Sequence, residues 1–170
     1  PKWKSWIVQT TTPLFTPEQC RQIISSGRAQ KPQQAQVGMN KPEGGTDTKK
    51  RVTTISWIPF QEMGHMYQDL NTFIQKANEN HFGFGDIQVT EQAQFTEYPE
   101  GGFYDWHMDC DVNMGHEPPV RKISMTLLLN DPSEFEGGDL ELMAPGKFAN
   151  LKQGHAICFA SFLNHRVNPV

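Results

Sequence analysis

His107 and Asp109 stand two residues apart at the end of the segment Tyr98-Pro99-Glu100-Gly101-Gly102-Phe103-Tyr104-Asp105-Trp106-His107-Met108-Asp109. In an extended strand, side chains two apart project from one face. An imidazole and a carboxylate would then point together, as two ligands of one metal ion must. His165 lies far downstream, in Ser161-Phe162-Leu163-Asn164-His165-Arg166. A sheet that places these segments side by side would bring it to the same face. Two histidines and one carboxylate leave coordination positions open, the geometry in which non-heme iron takes a chelating ligand and dioxygen. The same three side chains suit zinc. His65, His81, His116 and His155 show that histidine is not scarce in this chain. Spacing alone therefore leaves ordinary surface or core histidines as a standing alternative. No Ser/His/Asp or Cys/His arrangement for nucleophilic catalysis is visible.

The elements that would position these residues are short. Strands are expected at 87–98, 103–109, 122–130, 139–143, 155–159 and 166–168. They are separated by Pro99-Glu100-Gly101-Gly102, Glu117-Pro118-Pro119, Asn130-Asp131-Pro132, Glu136-Gly137-Gly138 and Pro145-Gly146. Strands at roughly ten-residue intervals suit a sandwich or barrel. The N-terminal half differs. Residues 4–10 read as a strand and 51–58 as another. Thr16-Pro17-Glu18-Gln19 reads as a capping box opening a helix, with Gly27 as its stop. A second helix is expected over 59–80, where Met63, Met66, Tyr67, Leu70, Phe73, Ile74 and Ala77 recur at helical spacing. The intervening 28–50 segment, rich in Gln, Lys, Gly and Pro, reads either as a solvated loop or as a lid over a site. Helices first and strands after predict a mostly β protein with helices packed on one sheet of a jelly roll, in a single domain over 1–170.

Composition narrows the function. The chain has 170 residues, 36% hydrophobic and 20% charged, and a net charge of −4. The mild acidity argues against a phosphate-binding face and makes a nucleic-acid partner an unfavoured reading. Cys20, Cys110 and Cys158 are scattered and odd in number, with no CxxC spacing, which argues against a disulfide scaffold and a zinc finger. No apolar run approaches membrane length, so no membrane partner is expected and the cytoplasm is the expected location.

Four blocks together resemble the prolyl 4-hydroxylase-like branch of the Fe(II)/2-oxoglutarate dioxygenases. They are Tyr98-Pro99-x-Gly101 leading into His107-x-Asp109, Arg121 to Asn130, Phe135-Glu136-Gly137-Gly138-Asp139-Leu140-Glu141-Leu142, and Phe162-Leu163-Asn164-His165-Arg166-Val167-x-Pro169-Val170. The resemblance covers 98–170 and implies a double-stranded β-helix. It implies Fe(II) on His107, Asp109 and His165, with 2-oxoglutarate and O2 as co-substrates and ascorbate as a further candidate. Tyr98 matches the tyrosine that contacts the distal carboxylate of 2-oxoglutarate. Ser124, Thr126 and Leu128 share one strand face, with Thr126 the first choice for the co-substrate pocket. Leu128 stands where relatives can carry a second tyrosine. Arg121 matches a substrate-facing residue, and Tyr104 and Trp106 flank the first iron ligand. The family's basic partner for the distal carboxylate follows the second histidine by several residues. It is expected past Val170, on a further strand, because Arg166 points away from the face His165 uses.

The intact Asp109 favours hydroxylation over halogenation. The implied reaction couples decarboxylation of 2-oxoglutarate to succinate with hydroxylation of a substrate. That substrate is expected to be a prolyl residue in a peptide or protein. A free amino acid or small metabolite is the alternative substrate. A catalytically silent jelly-roll module holding a metal or ligand is the alternative from outside the enzymes.

Overall fold

The computed structural model describes residues 4–34, 48–110 and 120–170. Most of the 28–50 segment lies outside them. Eleven short strands and two α-helices follow one another in the described residues. The strands are β1 (Ile7–Gln9), β2 (Gln33–Gln34), β3 (Arg51–Val52), β4 (Thr54–Ile58), β5 (Ala93–Glu97), β6 (Phe103–His107), β7 (Ile123–Leu127), β8 (Leu140–Leu142), β9 (Phe148–Ala149), β10 (Ala156–Ala160) and β11 (His165–Val167). The helices are α1 (Pro17–Ala29) and α2 (Gly64–Ala77). The protein is mostly β with few helices.

Thr16 opens α1 as the sequence predicts. Its hydroxyl accepts from the Gln19 amide at 3.2 Å, while the Gln19 side chain accepts from the Thr16 amide at 2.8 Å. Such a box satisfies two helix-end amides and contributes about 1 kcal/mol. Gly27 does not end the helix, which runs to Ala29. It is instead a contact point: a Cβ there would lie 2.2 Å from Cγ of Phe95. The bare backbone lets β5 press against α1. Cys20 and Ile23 lie on the same buried face. α2 buries Met66, Tyr67, Leu70 and Ala77, then continues as a π-helical turn over Asn78–Phe82. Its apolar face and that of α1 share one core with Ile58 and Phe95, at about 1.5–3 kcal/mol for each large side chain fully buried.

Three antiparallel sheets result, ordered β1-β10-β7, β3-β6-β11-β8-β9 and β2-β4-β5. Leu140 and Leu142 of the second sheet pack against Ile157 and Phe159 of the first. The expected strand over 51–58 breaks at Thr53. Arg51 and Val52 pair with β6, whereas 54–58 pairs with β5. The chain thus steps from the five-stranded sheet to the helix-covered one. The strand expected over 87–98 shortens to β5, and β9 is an addition. Gln33 and Gln34, read as loop, pair with β4. The Glu136-Gly137-Gly138 turn meets the last residues closely: the Gly138 amide donates to the Pro169 carbonyl at 3.0 Å.

None of the three cysteines forms a disulfide among the described residues. No helix among the described residues is long and apolar enough to cross a membrane.

Candidate metal centre

β6 and β11 are neighbours, and His107 and His165 sit directly opposite one another across them. Asp109 follows β6, and its backbone amide donates to the Ser161 carbonyl at 3.0 Å. That tie brings the carboxylate back over the two imidazoles. Asp109 Oδ1 lies 3.5 Å from Nε2 of His107 and 3.5 Å from Nε2 of His165. Among the described residues these three form the one group of histidine, cysteine and carboxylate side chains close enough to share an ion.

The tautomers follow from the neighbours. His107 Nδ1 is 2.8 Å from the Asp105 carbonyl and His165 Nδ1 is 2.9 Å from the Leu163 carbonyl. A carbonyl oxygen only accepts, so each Nδ1 carries the hydrogen. Both Nε2 lone pairs then face the Asp109 carboxylate. Three electron-rich atoms converge, an arrangement satisfied by a cation at their centre, either a second ring proton in the metal-free protein or a metal ion. The backbone carbonyls act as the outer partners that orient metal-binding imidazoles. The residues present therefore fit a divalent ion.

The electrostatics agree. Burial lowers the His107 pKa, which keeps the ring neutral and ready to bind. Burial pulls the Asp109 pKa upward, but donation from ring protons of the two histidines in the metal-free protein, with the Ser124 hydroxyl, outweighs it and holds the carboxyl well below the usual carboxylate range. Ser124 on β7 donates to Asp109 Oδ2 at 2.5 Å, and its oxygen is 3.0 Å from the Oγ of fully buried Ser161. One carboxylate oxygen is thus occupied by a hydroxyl, and the other is left for the ion. The face parity of Ser124 was readable in the sequence. The part played by Ser161 was not, because it depends on a tight turn after β10.

The site lies in a cleft of about 1260 Å³. Tyr98, Tyr104, Arg121, Ser124, Thr126 and Leu128 line it with the three ligands. Burial pushes the Tyr98 phenol up to about 12, so its hydroxyl stays protonated. Arg121 makes a two-pronged pair with Glu91 at 2.8 and 2.6 Å, and its remaining nitrogen lies 3.4 Å from the Asp109 carbonyl.

Tyr104 and Trp106 part company. Along β6 the register steps from Tyr104 opposite Val167 to His107 opposite His165, three residues against two. This bulge cancels the strict alternation. Tyr104 consequently stacks on His107, with ring centroids 3.4 Å apart and planes inclined by 11°. Trp106 is absent from the cleft lining. It lies under the Arg166 guanidinium, whose Cζ is 4.8 Å above its ring. Arg166 also pairs with buried Glu141 at 2.8 Å, on the side away from His165, as alternation predicts.

Arg51 is a cleft residue that sequence reasoning passed over. It opens the strand expected over 51–58, with no role assigned to its side chain, and it is only 8% exposed. Its guanidinium lies 4.3 Å over the Tyr104 ring.

Comparison with known proteins agrees with this geometry. Residues 93–170 match the model of the 2OG-Fe(II) oxygenase superfamily. A PKHD-type hydroxylase from Colwellia psychrerythraea is 34% identical over 136 residues, which is 76% of this chain and 59% of that protein. The chain thus spans less than two thirds of the length of the relatives it matches, and only 36% of one from Acidovorax ebreus. In fold it is similar to a Pseudomonas putida prolyl-4-hydroxylase, with TM-score 0.71 and 20% identity over 97% of this chain and 85% of that one. A Trichoplax adhaerens prolyl hydroxylase, solved with a peptide fragment of a hypoxia-inducible factor, gives 0.70 and 18% over 96% and 77%.

Proposed function

The chain belongs to the 2OG-Fe(II) oxygenase superfamily, with a prolyl 4-hydroxylase-like fold, and on that premise we propose that it hydroxylates a prolyl residue of a peptide or protein. The observation that carries this is the convergence of two imidazole lone pairs and one carboxylate oxygen in an open cleft. The cofactors are Fe(II) and 2-oxoglutarate, with O2 as co-substrate; ascorbate is the proposed reductant. The bound ion with its co-substrate supplies activation of dioxygen, coupled to decarboxylation of 2-oxoglutarate to succinate.

The chain's own residues bind and orient. His107, Asp109 and His165 hold the ion. Ser124 restrains Asp109 so that one oxygen faces it. Tyr98, as a neutral phenol, donates to a carboxylate of the co-substrate, and Thr126 and Leu128 shape that pocket. Arg121, fixed by Glu91 at the side of Asp109, faces the substrate. Tyr104 covers His107 and closes one side of the site to water. Trp106 supports β6 from behind, against Arg166. The β1-β10-β7 and five-stranded sheets are read as the two walls of a double-stranded β-helix, with α1 against the third sheet.

The test supplies the protein with Fe(II), 2-oxoglutarate, air and a pool of proline-containing peptides. Succinate should form, and one peptide class should gain one oxygen atom. Succinate without peptide oxidation would return the substrate to a free amino acid or small metabolite. No succinate and no iron binding would leave a silent binding module.

A further inference from the structure

Arg51 is a buried cation whose contacts among the described residues are neutral. Its Nε donates to Thr53 Oγ1 at 2.8 Å and its Nη2 to Gln94 Oε1 at 2.8 Å. Gln94 Oε1 also accepts from the Thr96 hydroxyl at 3.2 Å. The third contact is the π-face of Tyr104. Of the carboxylates lining the cleft, Glu91 pairs with Arg121, Glu97 with Arg28, Glu134 with Asn130 and Asp109 with the imidazoles and Ser124, and neither these nor Asp139 forms an ion pair with Arg51. A buried arginine is normally paired with an anion, because desolvating the charge is costly. Here the guanidinium is pinned by hydroxyl, amide and ring, in the cleft wall, with no carboxylate of the described residues on it.

Position adds the second half of the argument. Tyr104 is sandwiched between Arg51 and His107. A single ring therefore separates the guanidinium from a metal-binding imidazole. Tyr98 and Tyr104 both feel the Arg51 charge. A ligand anchored at the ion and extending past one ring would reach it. Arginine's planar fork suits a carboxylate in particular.

We propose that Arg51 is a carboxylate receptor of this cleft, binding an anionic end of a ligand whose other end lies at the His107–Asp109–His165 site. The inference rests on the cleft being the ligand site proposed above. The carboxylate belongs either to the co-substrate or to an acidic side chain of the peptide, and the experiment separates these sources.

Arg51→Gln and Arg51→Lys are compared with wild type by calorimetric titration, with thermal midpoints measured alongside. In the first arm, Mn(II)-loaded protein without iron is titrated with 2-oxoglutarate and with 2-oxobutyrate, which lacks the distal carboxylate. In the second, it is titrated with short peptides that place Glu or Gln beside a proline. In the third, metal-free protein is titrated with glutarate. A receptor for the co-substrate predicts that Arg51→Gln loses about tenfold or more in 2-oxoglutarate affinity, with 2-oxobutyrate unaffected and Arg51→Lys intermediate. A receptor for the peptide predicts unchanged 2-oxoglutarate binding and loss of the preference for Glu over Gln. Equal losses for charged and uncharged ligands, or no loss for any, overturn the proposal. The glutarate arm keeps the two readings apart. If wild type binds no Mn(II) but holds glutarate more tightly than Arg51→Gln does, the receptor stands and the oxygenase reading falls. Normal Mn(II) binding with no dependence on Arg51 in any arm gives the reverse.

Discussion

Ser124→Ala removes one oxygen from β7 and should be felt at the metal. The Ser124 hydroxyl is 2.5 Å from Asp109 Oδ2, so it donates a short bond to a charged acceptor. Such charge-assisted bonds contribute about 1.5–3 kcal/mol. Losing one leaves Asp109 free to rotate and leaves Oδ2 poorly solvated in a half-buried place. An outer partner of a metal ligand typically accounts for about 10–100-fold in affinity, which is the range expected here. Competition between the protein and a chromophoric chelator for Co(II) or Mn(II) reads this directly. Alanine is smaller and suits the strand interior poorly but not fatally, so the thermal midpoint of the metal-free protein should change little. Ser124→Thr retains the hydroxyl and should recover most of the affinity. Ser161→Ala should lose less, because Ser161 reaches Asp109 only through Ser124 and its own backbone. Wild-type metal affinity in Ser124→Ala, with the fold intact, would refute the assignment of Ser124 as the group that orients the carboxylate.

Other perturbations follow from the same geometry. His107→Ala should abolish Mn(II) binding and succinate formation while circular dichroism stays native; retained metal binding would remove His107 from the site. Gly27→Ala should destabilise by about 1–3 kcal/mol, because the new methyl meets the Phe95 ring and overpacks the α1–β5 contact. Thermal denaturation reads it, and an unchanged midpoint would mean that the ring moves freely. Metal-free protein should lose stability as pH falls below about 6.5. His107 binds its proton less readily folded than unfolded, so stability is complete above the unfolded value and declines toward the lower folded one. A His107→Gln protein should lack that part of the decline in a pH series of thermal midpoints.

Much of the site was legible in short-range pattern. The two-residue spacing of His107 and Asp109, the face shared by Ser124 and Thr126, and the outward turn of Arg166 all rest on alternation, a local property of the strand. The capping box at Thr16 is equally local. What escaped was set by pairing between distant segments. The bulge in β6 separated Tyr104 from Trp106, and nothing in Tyr104-Asp105-Trp106-His107 announces an extra residue relative to β11. The break at Thr53 is likewise invisible in a run of strand-forming residues, because it arises from β3 and β4 having different partners. Arg51 was read only as the start of a strand, and its burial follows from pairing with β6, which lies far along the chain. Gly27 looked like a stop signal because glycine serves both as terminator and as a place for close approach. Choosing between them required Phe95, far along the chain.

The opposition of His107 and His165 across β6 and β11 has a mechanical side. An ion gripping both is a removable cross-link between the strand that ends in His107 and the strand that begins with His165. It closes a long stretch of chain, including β7, β8, β9 and β10, into a loop that an unfolded chain would have to form at an entropic cost. Loading the ion thus tightens the hem of the sheet as well as arming the cleft. A chelator would unfasten both at once, and exposure of β11 to protease would report how full the site is.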